Sequence, residues 1–386
     1  MLYQDAMYGQ VQLPPFIEEL ANTPEVQRLK LISQDVLPQS CMPYKVPSRF
    51  EHSMGVAYLA QLAIVQNQLS KKDALLLSVS ALLHDTGNPP FSHLSEPFLK
   101  KLTGKDGESF LEERLDGSQA WSFLCQAGLD LHDVVRCVTG HLKPLSVLIN
   151  GSIDVDNLDN VGRYWFTARN GEFLFDAQAI ASSFRYDEAK PLFPGQWHLS
   201  QSCLKEAKRW QKARQAVYEI IYGEPNLGAR IMVYRAVEIA FHRGQLTEDF
   251  FHLNDVQAMD FLLTCNRDSM HLAQKFLDQQ IYPELIAFKT TRPSLRLKVI
   301  SEDRDMRKAM AETICKECGL PQSAACVYIG QGRDKRKIDL PFLGRNGSKY
   351  LDNGNYHPIY RVKVYVDPEF ENKKMVIGSL VKQMTE

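Results

Sequence analysis

The chain contains no apolar run approaching the ~20 residues a membrane-spanning helix needs. It also lacks a dominant sign of charge. Its 386 residues hold 45 Lys and Arg against 46 Asp and Glu, a formal net charge of -1. That balance does not favour nucleic acid or an acidic membrane as partner, although it leaves room for a local basic patch. The eight cysteines follow no disulfide-scaffold rhythm, and a chain this long can bury a core without one. Reduced thiols in the cytoplasm are the expectation. Residues 1–16 lack a basic segment followed by an apolar one, so no secretory leader is read there. Internal repeats and low-complexity tracts are absent. With 44% hydrophobic and 24% charged residues, what remains is an ordinary globular chain of two domains, or one large domain with an appendage.

Helical signals dominate the first three quarters. Pro14-Pro15 opens a short helix, and Thr23-Pro24 is an N-cap followed by proline at the first helical position. The helix it starts is predicted to reach about Gln34, with a proline-containing loop over 35–48. From Phe50 to about Gln68 apolar residues recur at helical spacing. The segment from Lys72 to about His84 is apolar nearly all round, the mark of a buried helix. Gly87-Asn88-Pro89-Pro90 ends it. Further helices are predicted near 94–103, 118–127, 130–141, 155–169, 200–222, 225–243, 254–264 and 267–279. Beyond about 285 the texture changes. Residues 294–300 alternate with period two and are predicted as a strand, as are 325–329 and 360–366, with a helix over 303–317. The fold expected is mainly α: a helical domain over 1–287 and a small α/β C-terminal region over 288–386.

The chemistry gathers in Arg49-Phe50-Glu51-His52 and Leu83-His84-Asp85. Two imidazoles and a carboxylate beside a helix break are metal-ligand types. A polar His-Asp pair closing a buried helix needs partners or a task. A fourth ligand is expected among Asp154, Asp156 and Asp159. Two imidazoles with two carboxylates suit a divalent ion such as Mn, Fe, Co, Ni or Zn. Arg49 stands one turn before His52, which would aim a guanidinium at a bound phosphate. His93 is placed as a general acid or base, with Glu96 as its orienting carboxylate. A metal-dependent phosphohydrolase follows.

The same residues carry a family resemblance. Asp5-x-x-Tyr8-Gly9, the run from Thr23 to Gln34, residues 49–60, 82–93 and 153–159 resemble HD-domain metal-dependent phosphohydrolases, in particular deoxynucleoside triphosphate triphosphohydrolases of the SAM-and-HD type, here without the SAM domain. The likeness is good over about 1–170 and fades beyond 280. It implies an HD-domain helical bundle with His52, His84, Asp85 and Asp156 holding a divalent metal, magnesium included among the candidates. Arg49 would contact phosphates and Gln34 a sugar hydroxyl. His93 with Glu96 would form the catalytic pair, and Tyr218 would abut sugar or base. Asn88 and Asn160 occupy substrate-facing positions where the family carries histidine and tyrosine. Asn157 replaces a lysine, and a family histidine expected near 110–115 is missing. The resemblance further implies a nucleotide substrate and a homo-oligomer. Gln27 and Lys30 match positions that bind a nucleotide activator, whereas Asn22 replaces the acid that reads guanine.

Other features have plain readings. Asp154 and Asp159 are expected as helix N-terminal acids favoured by the dipole, and His141 as a structural histidine at a helix end. Cys315-x-x-Cys318 with Cys326 lacks the further ligands of a zinc site. The Tyr164-Trp165-Phe166 run suits core packing, and Arg333, Lys335, Arg336 and Lys337 a solvated loop.

Overall fold

The computed structural model describes residues 2–36, 45–187, 196–332, 337–344, 347–351 and 358–386. An antiparallel hairpin opens the chain, β1 (Leu2–Asp5) and β2 (Gly9–Gln12). Asp5 shapes its turn, accepting the backbone N–H groups of Met7 at 2.8 Å and Tyr8 at 2.9 Å. Helices α1 (Pro15–Ala21) and α2 (Pro24–Gln27) each begin on proline. The helix expected to reach Gln34 is shorter. It tightens into a 3-10 turn at Arg28–Leu31, after which the backbone pairs elsewhere: Gln34 N donates to Pro47 O at 2.9 Å and Arg49 N to Ile32 O at 2.8 Å.

Helix α3 (Arg49–Val65) starts from a capping box in which the Ser48 hydroxyl accepts from Glu51 N and the Glu51 side chain returns to Ser48 N. It is buried on two sides. Phe50, Met54 and Ala57 pack with the hairpin and α1, while Val56, Leu59, Ala60 and Ala63 pack the other way. Helix α4 (Lys71–Leu83) starts at Ser70, whose hydroxyl accepts from Asp73 N. Smaller helices follow: α5 (Glu96–Thr103), α6 (Leu111–Leu115), α7 (Gln119–Gln126) and α8 (Leu131–Val138). Helix α9 (Val155–Ala168) then returns across α3, followed by α10 (Ala177–Ala181), β3 (Phe184–Asp187) and β4 (Gln196–Ser200). Helices α11 (Leu204–Ile221), α12 (Asn226–His242), α13 (Asp255–Cys265) and α14 (Arg267–Leu277) complete the helical body.

The C-terminal region is a three-stranded antiparallel sheet ordered β5-β9-β6, from β5 (Glu284–Thr290), β6 (Ala325–Gln331) and β9 (Tyr360–Val366). Helices α15 (Leu295–Glu302), α16 (Arg304–Cys318) and α17 (Lys374–Thr385) share its core. Cys326 and Tyr365 face the other way and pack with α12–α14. The strand predicted over 294–300 is therefore helix α15. Ser294 caps it by accepting Leu297 N, and only Leu297 and Ile300, three apart, are buried. Leu295 and Val299 are exposed, so the period-two pattern counted apolar residues that face solvent. Short strands β7 (Phe342–Gly344) and β8 (Gly347–Lys349) extend the β3-β4 sheet, with β7 parallel to β4. Ile338, Phe342 and Leu351 thus belong to the core of the helical body. The seven described cysteines form no disulfide. Arg333, Lys335 and Arg336 lie outside the described residues.

Candidate metal centre

Three elements converge on one point. Helix α3 presents Arg49 and His52 one turn apart. Helix α4 stops at Leu83, leaving His84 as its C-cap and Asp85 in the turn beyond. Helix α9 carries Asp156 in its first turn, beyond the N-cap Asp154. His52 Nε2 lies 3.2 Å from His84 Nε2, 3.0 Å from Asp156 Oδ1 and 3.6 Å from Asp85 Oδ2. His84 Nε2 is 3.5 Å from Asp85 Oδ2 and 3.8 Å from Asp156 Oδ1. His84 Nδ1 faces the Ala81 carbonyl at 2.9 Å, and His52 Nδ1 faces Asp159 Oδ1 at 2.7 Å. Both acceptors place a proton on Nδ1, turning the two Nε2 lone pairs toward each other and toward carboxylate oxygens. Such a set of lone pairs repels itself unless a proton or a metal cation lies between them. His52, His84 and Asp85 accordingly form a buried group able to hold a divalent metal ion.

The surrounding electrostatics ask for positive charge. Burial opposes charging His52, but hydrogen bonds to Asp156 and Asp159 and the charge of Asp85 outweigh it, lifting its pKa to about 9. Burial also opposes ionising Asp85, yet Arg49, His84 and His52 hold its carboxyl below the usual range. The Arg49 Nη1–Asp85 Oδ2 distance is 2.8 Å.

Asp159 is not a solvent-side dipole acid. It is fully buried and sits between His52 and Arg163, which reaches it through Nε at 2.8 Å and Nη2 at 2.9 Å. Burial raises its pKa, but Arg163 and His52 bring it down to about 2. Arg163 continues to Asp5 of the hairpin at 3.0 Å, so the N-terminal Asp-x-x-Tyr-Gly motif is tied to a histidine of the centre through two buried ion pairs. Gly55 makes room for this chain: a Cβ there would stand 1.9 Å from Asp159 Oδ2. No local pattern marks Asp159 as different from Asp154. Asp154 is the dipole-favoured N-cap expected, accepting from Asn157 N at 2.7 Å.

The turn after Asp85 is buried and held from several sides. Asn88 Nδ2 donates to Asp85 Oδ1 at 2.7 Å, and Arg28 Nη1 donates to the Asn88 carbonyl at 3.0 Å. Phe91 and Ser92 both adopt positive φ, 61° and 52°, which side-chain-bearing residues rarely adopt. They are kept there by Asp255, which accepts Phe91 N at 2.7 Å, and by the Ser92 hydroxyl. That hydroxyl donates to Ser33 O at 2.9 Å and accepts Arg49 Nε at 3.0 Å.

The other candidates differ in their surroundings. His93 Nδ1 pairs with Glu96 at 3.0 Å, its side chain 65% exposed at the mouth; the Glu96 charge raises its pKa. Gln34 has both amide atoms buried with no hydrogen-bond partner among the described residues. Asn160 is half-buried one turn after Asp156, and Tyr218 stacks on Tyr222 with ring centroids 6.0 Å apart. Asn157 points its amide back to Asp154 at 2.9 Å. Gln27 bonds the Ala21 carbonyl at 2.7 Å, and Lys30 lies 4.8 Å over the Phe50 ring. Glu108, which no sequence signal singled out, keeps an exposed side chain, yet partial burial and the charges of Asp156, Asp106, Glu96 and Asp85 push its pKa up. His141 is exposed and bonded to Thr139, and Tyr164 is buried with its hydroxyl on Asp35.

Residues 49–163 match the family model of the HD domain, which runs from the start of α3 into α9. The deoxynucleoside triphosphate triphosphohydrolase SAMHD1 homolog of Dictyostelium discoideum is 27% identical over 183 residues, 42% of this chain and 35% of that protein. The deoxynucleoside triphosphate triphosphohydrolase SAMHD1 of Homo sapiens is 35% identical over 97 residues, 23% of this chain and 16% of that one. The alignments thus cover well under half of either relative. An uncharacterized protein of Methanocaldococcus jannaschii aligns at 24% identity over 74% of this chain and 59% of its own. A crystal structure of a hypothetical protein from Aquifex aeolicus shares the fold almost end to end. The TM-score is 0.75 at 21% identity, covering 98% of this chain and 99% of that one.

Proposed function

We propose, from the HD domain this chain carries, that it is a metal-dependent phosphohydrolase of nucleotides whose reaction is hydrolysis of a deoxynucleoside triphosphate to deoxynucleoside and triphosphate. The observation that carries the reading is the pair of imidazole Nε2 atoms facing each other at 3.2 Å among carboxylates. His52, His84, Asp85 and Asp156 would hold the ion, which can be Mn, Fe, Co, Ni, Zn or Mg. Bound there, such an ion supplies a Lewis acid for a phosphoryl oxygen and lowers the pKa of a coordinated water.

The chain's own groups supply the rest. Arg49, anchored by Asp85 and Ser92, offsets negative charge on a phosphate beside the centre. His93, held by Glu96, moves a proton: as water attacks the α-phosphorus and the bond to the 5′-oxygen breaks, that oxygen takes up a proton. The amide of Gln34, which meets no partner among the described residues, would bind a sugar hydroxyl and so relieve a costly burial. Tyr218 borders the sugar or base, and Asn160 offers an amide nearby.

A second reading has specific support. The Asn157 side chain is engaged by Asp154 and that of Asn88 by Asp85, leaving fewer groups for a triphosphate. An HD-type nucleotidase or phosphodiesterase acting on another phosphoester fits those contacts. Incubating Mn²⁺-, Mg²⁺- or Co²⁺-loaded protein with the four dNTPs and with mono- and diphosphates, followed by chromatography, separates the two. Deoxynucleoside plus intact triphosphate, absent in a His84→Ala/Asp85→Ala control, is the expected result. Orthophosphate from monophosphates alone would transfer the protein to the second reading. Tight nucleotide binding with no turnover would make it a nucleotide-sensing regulator.

A further inference from the structure

A cluster of cationic side chains lies outside the HD motif. A cleft of about 190 Å³ opens between α12 of the helical body and α16 and β6 of the C-terminal region, with His93 on its rim. Five cations line it: Arg230, Arg235, Arg304, Arg307 and Lys308. Three have acidic partners: Arg230 pairs with Asp35 at 3.0 Å, Arg235 with Glu238, and Lys308 with Glu312 at 2.9 Å. Arg304 and Arg307 have no carboxylate partner among the described residues. Arg307 donates Nη1 to the Ile329 carbonyl at 2.9 Å, and its pKa is lowered by burial, with Arg304 adding to the effect. Arg230 also keeps Nη1 buried without a hydrogen-bond partner among the described residues. Half-buried Arg307 is costly to draw from water without an anion, and Arg304 stands exposed on the same cleft.

The metal centre itself is short of positive side chains. Arg49 is tied to Asp85 and Ser92, and Arg163 is consumed by Asp5 and Asp159. A triphosphate would meet only Arg49, His93 and a divalent ion whose charge is already shared with Asp85 and Asp156. Size decides how the cleft would be used. Sites for whole small-molecule ligands usually run to roughly 300–1,000 Å³, so this cleft suits part of a ligand rather than a second complete nucleotide. His93, the proposed proton-moving group, is the residue that the cleft shares with the catalytic set.

We propose that the cleft holds the distal phosphates of the same substrate whose first phosphate lies at the His52–His84–Asp85 group, with Arg304 and Arg307 of α16 as the anion-binding side chains. The inference rests on the nucleotide-polyphosphate reading above and gives the C-terminal region a part in substrate binding. Guanidinium groups suit the task because they offer paired donors to phosphate oxygens.

The test compares two substrates on the full-length, Mn²⁺-loaded protein: the best dNTP of the panel, and bis(p-nitrophenyl) phosphate, which has no distal phosphates. Arg304→Ala/Arg307→Ala is expected to raise KM for the dNTP about tenfold or more with kcat within about threefold, leaving KM for the diester unchanged. Arg307→Lys should recover part of the loss, and thermal melting of Arg304→Ala alone checks folding, since Arg304 is exposed. Equal changes for both substrates, or none for either, would overturn the inference. Calorimetric titration of inorganic tripolyphosphate into a His84→Ala/Asp85→Ala protein decides the cleft even if no dNTP is turned over. Binding that disappears on adding Arg304→Ala/Arg307→Ala supports it, and absence of binding refutes it. Two dNTPs bound per chain, with the second lost in the arginine variant and KM unmoved, would make the cleft a separate site and also refute it.

Discussion

His52 donates from Nδ1 to Asp159 Oδ1 over 2.7 Å, with neither side chain exposed to solvent. Asp159 thereby sets which imidazole nitrogen faces the metal position, and Arg163 holds Asp159 in turn. A partner of this kind orients a ligand and raises its basicity, and its loss typically costs 10–100-fold in metal affinity. Asp159→Asn keeps the shape and removes the charge. Its Mn²⁺ affinity by isothermal titration should fall by about 10–100-fold; an affinity equal to wild type would mean that the contact has no orienting role.

Gly55 is required by packing, not by backbone conformation. A Cβ at this position would meet Asp159 Oδ2 at 1.9 Å and Arg163 Nη2 at 2.3 Å. Gly55→Ala must therefore displace a buried ion pair or shift α3 against α9. A loss of about 2–4 kcal/mol is expected in urea denaturation, together with weaker metal binding. A midpoint within error of wild type would show that the two helices can part without cost.

Metal removal should lower stability, because the ligand set is preorganised only in the folded chain. A free metal concentration a hundred times Kd adds about 2.7 kcal/mol through mass action. Treatment with a chelator should lower Tm and readdition of Mn²⁺ should restore it. His84→Ala/Asp85→Ala should melt at one temperature with or without chelator. A chelator-sensitive Tm in that variant would place the responsible metal elsewhere.

The His93–Glu96 pair carries a pH dependence. Glu96 raises the His93 pKa above its ordinary value of 6.5 through its charge and its hydrogen bond. Acting as the acid, His93 is competent while protonated, so activity should be full below that raised pKa and fall as pH rises through it. Glu96→Gln removes the largest cause of the shift. Its alkaline limb in kcat/KM should therefore move to lower pH. A limb that stays in place would assign that titration to another group.

Much of this arrangement was readable along the chain. The apolar recurrence after Phe50 and the all-round apolar character before His84 predicted α3 and α4. Thr23-Pro24 and Gly87-Asn88-Pro89-Pro90 marked a start and a stop. The His-Asp pair at the end of a buried helix pointed to the metal group, since burying such groups needs a compensating partner. Three things were not readable. The 294–300 pattern fits strand and helix alike until burial shows which apolar residues turn inward. The joining of β7 to β4 depends on residues more than a hundred positions apart. Asp159 and Asp154 look alike in sequence and part company only because α9 crosses α3 at Gly55.

The sequence by itself determined the ligand types, the helices that carry them and the break that exposes His84 and Asp85, because spacing, capping and side-chain chemistry act over a few residues. Only the tertiary structure decided which acid orients His52, why Gly55 must lack a side chain, and that cations from α16 stand beside His93. Those relations depend on how distant elements pack, and local propensity carries no record of that packing.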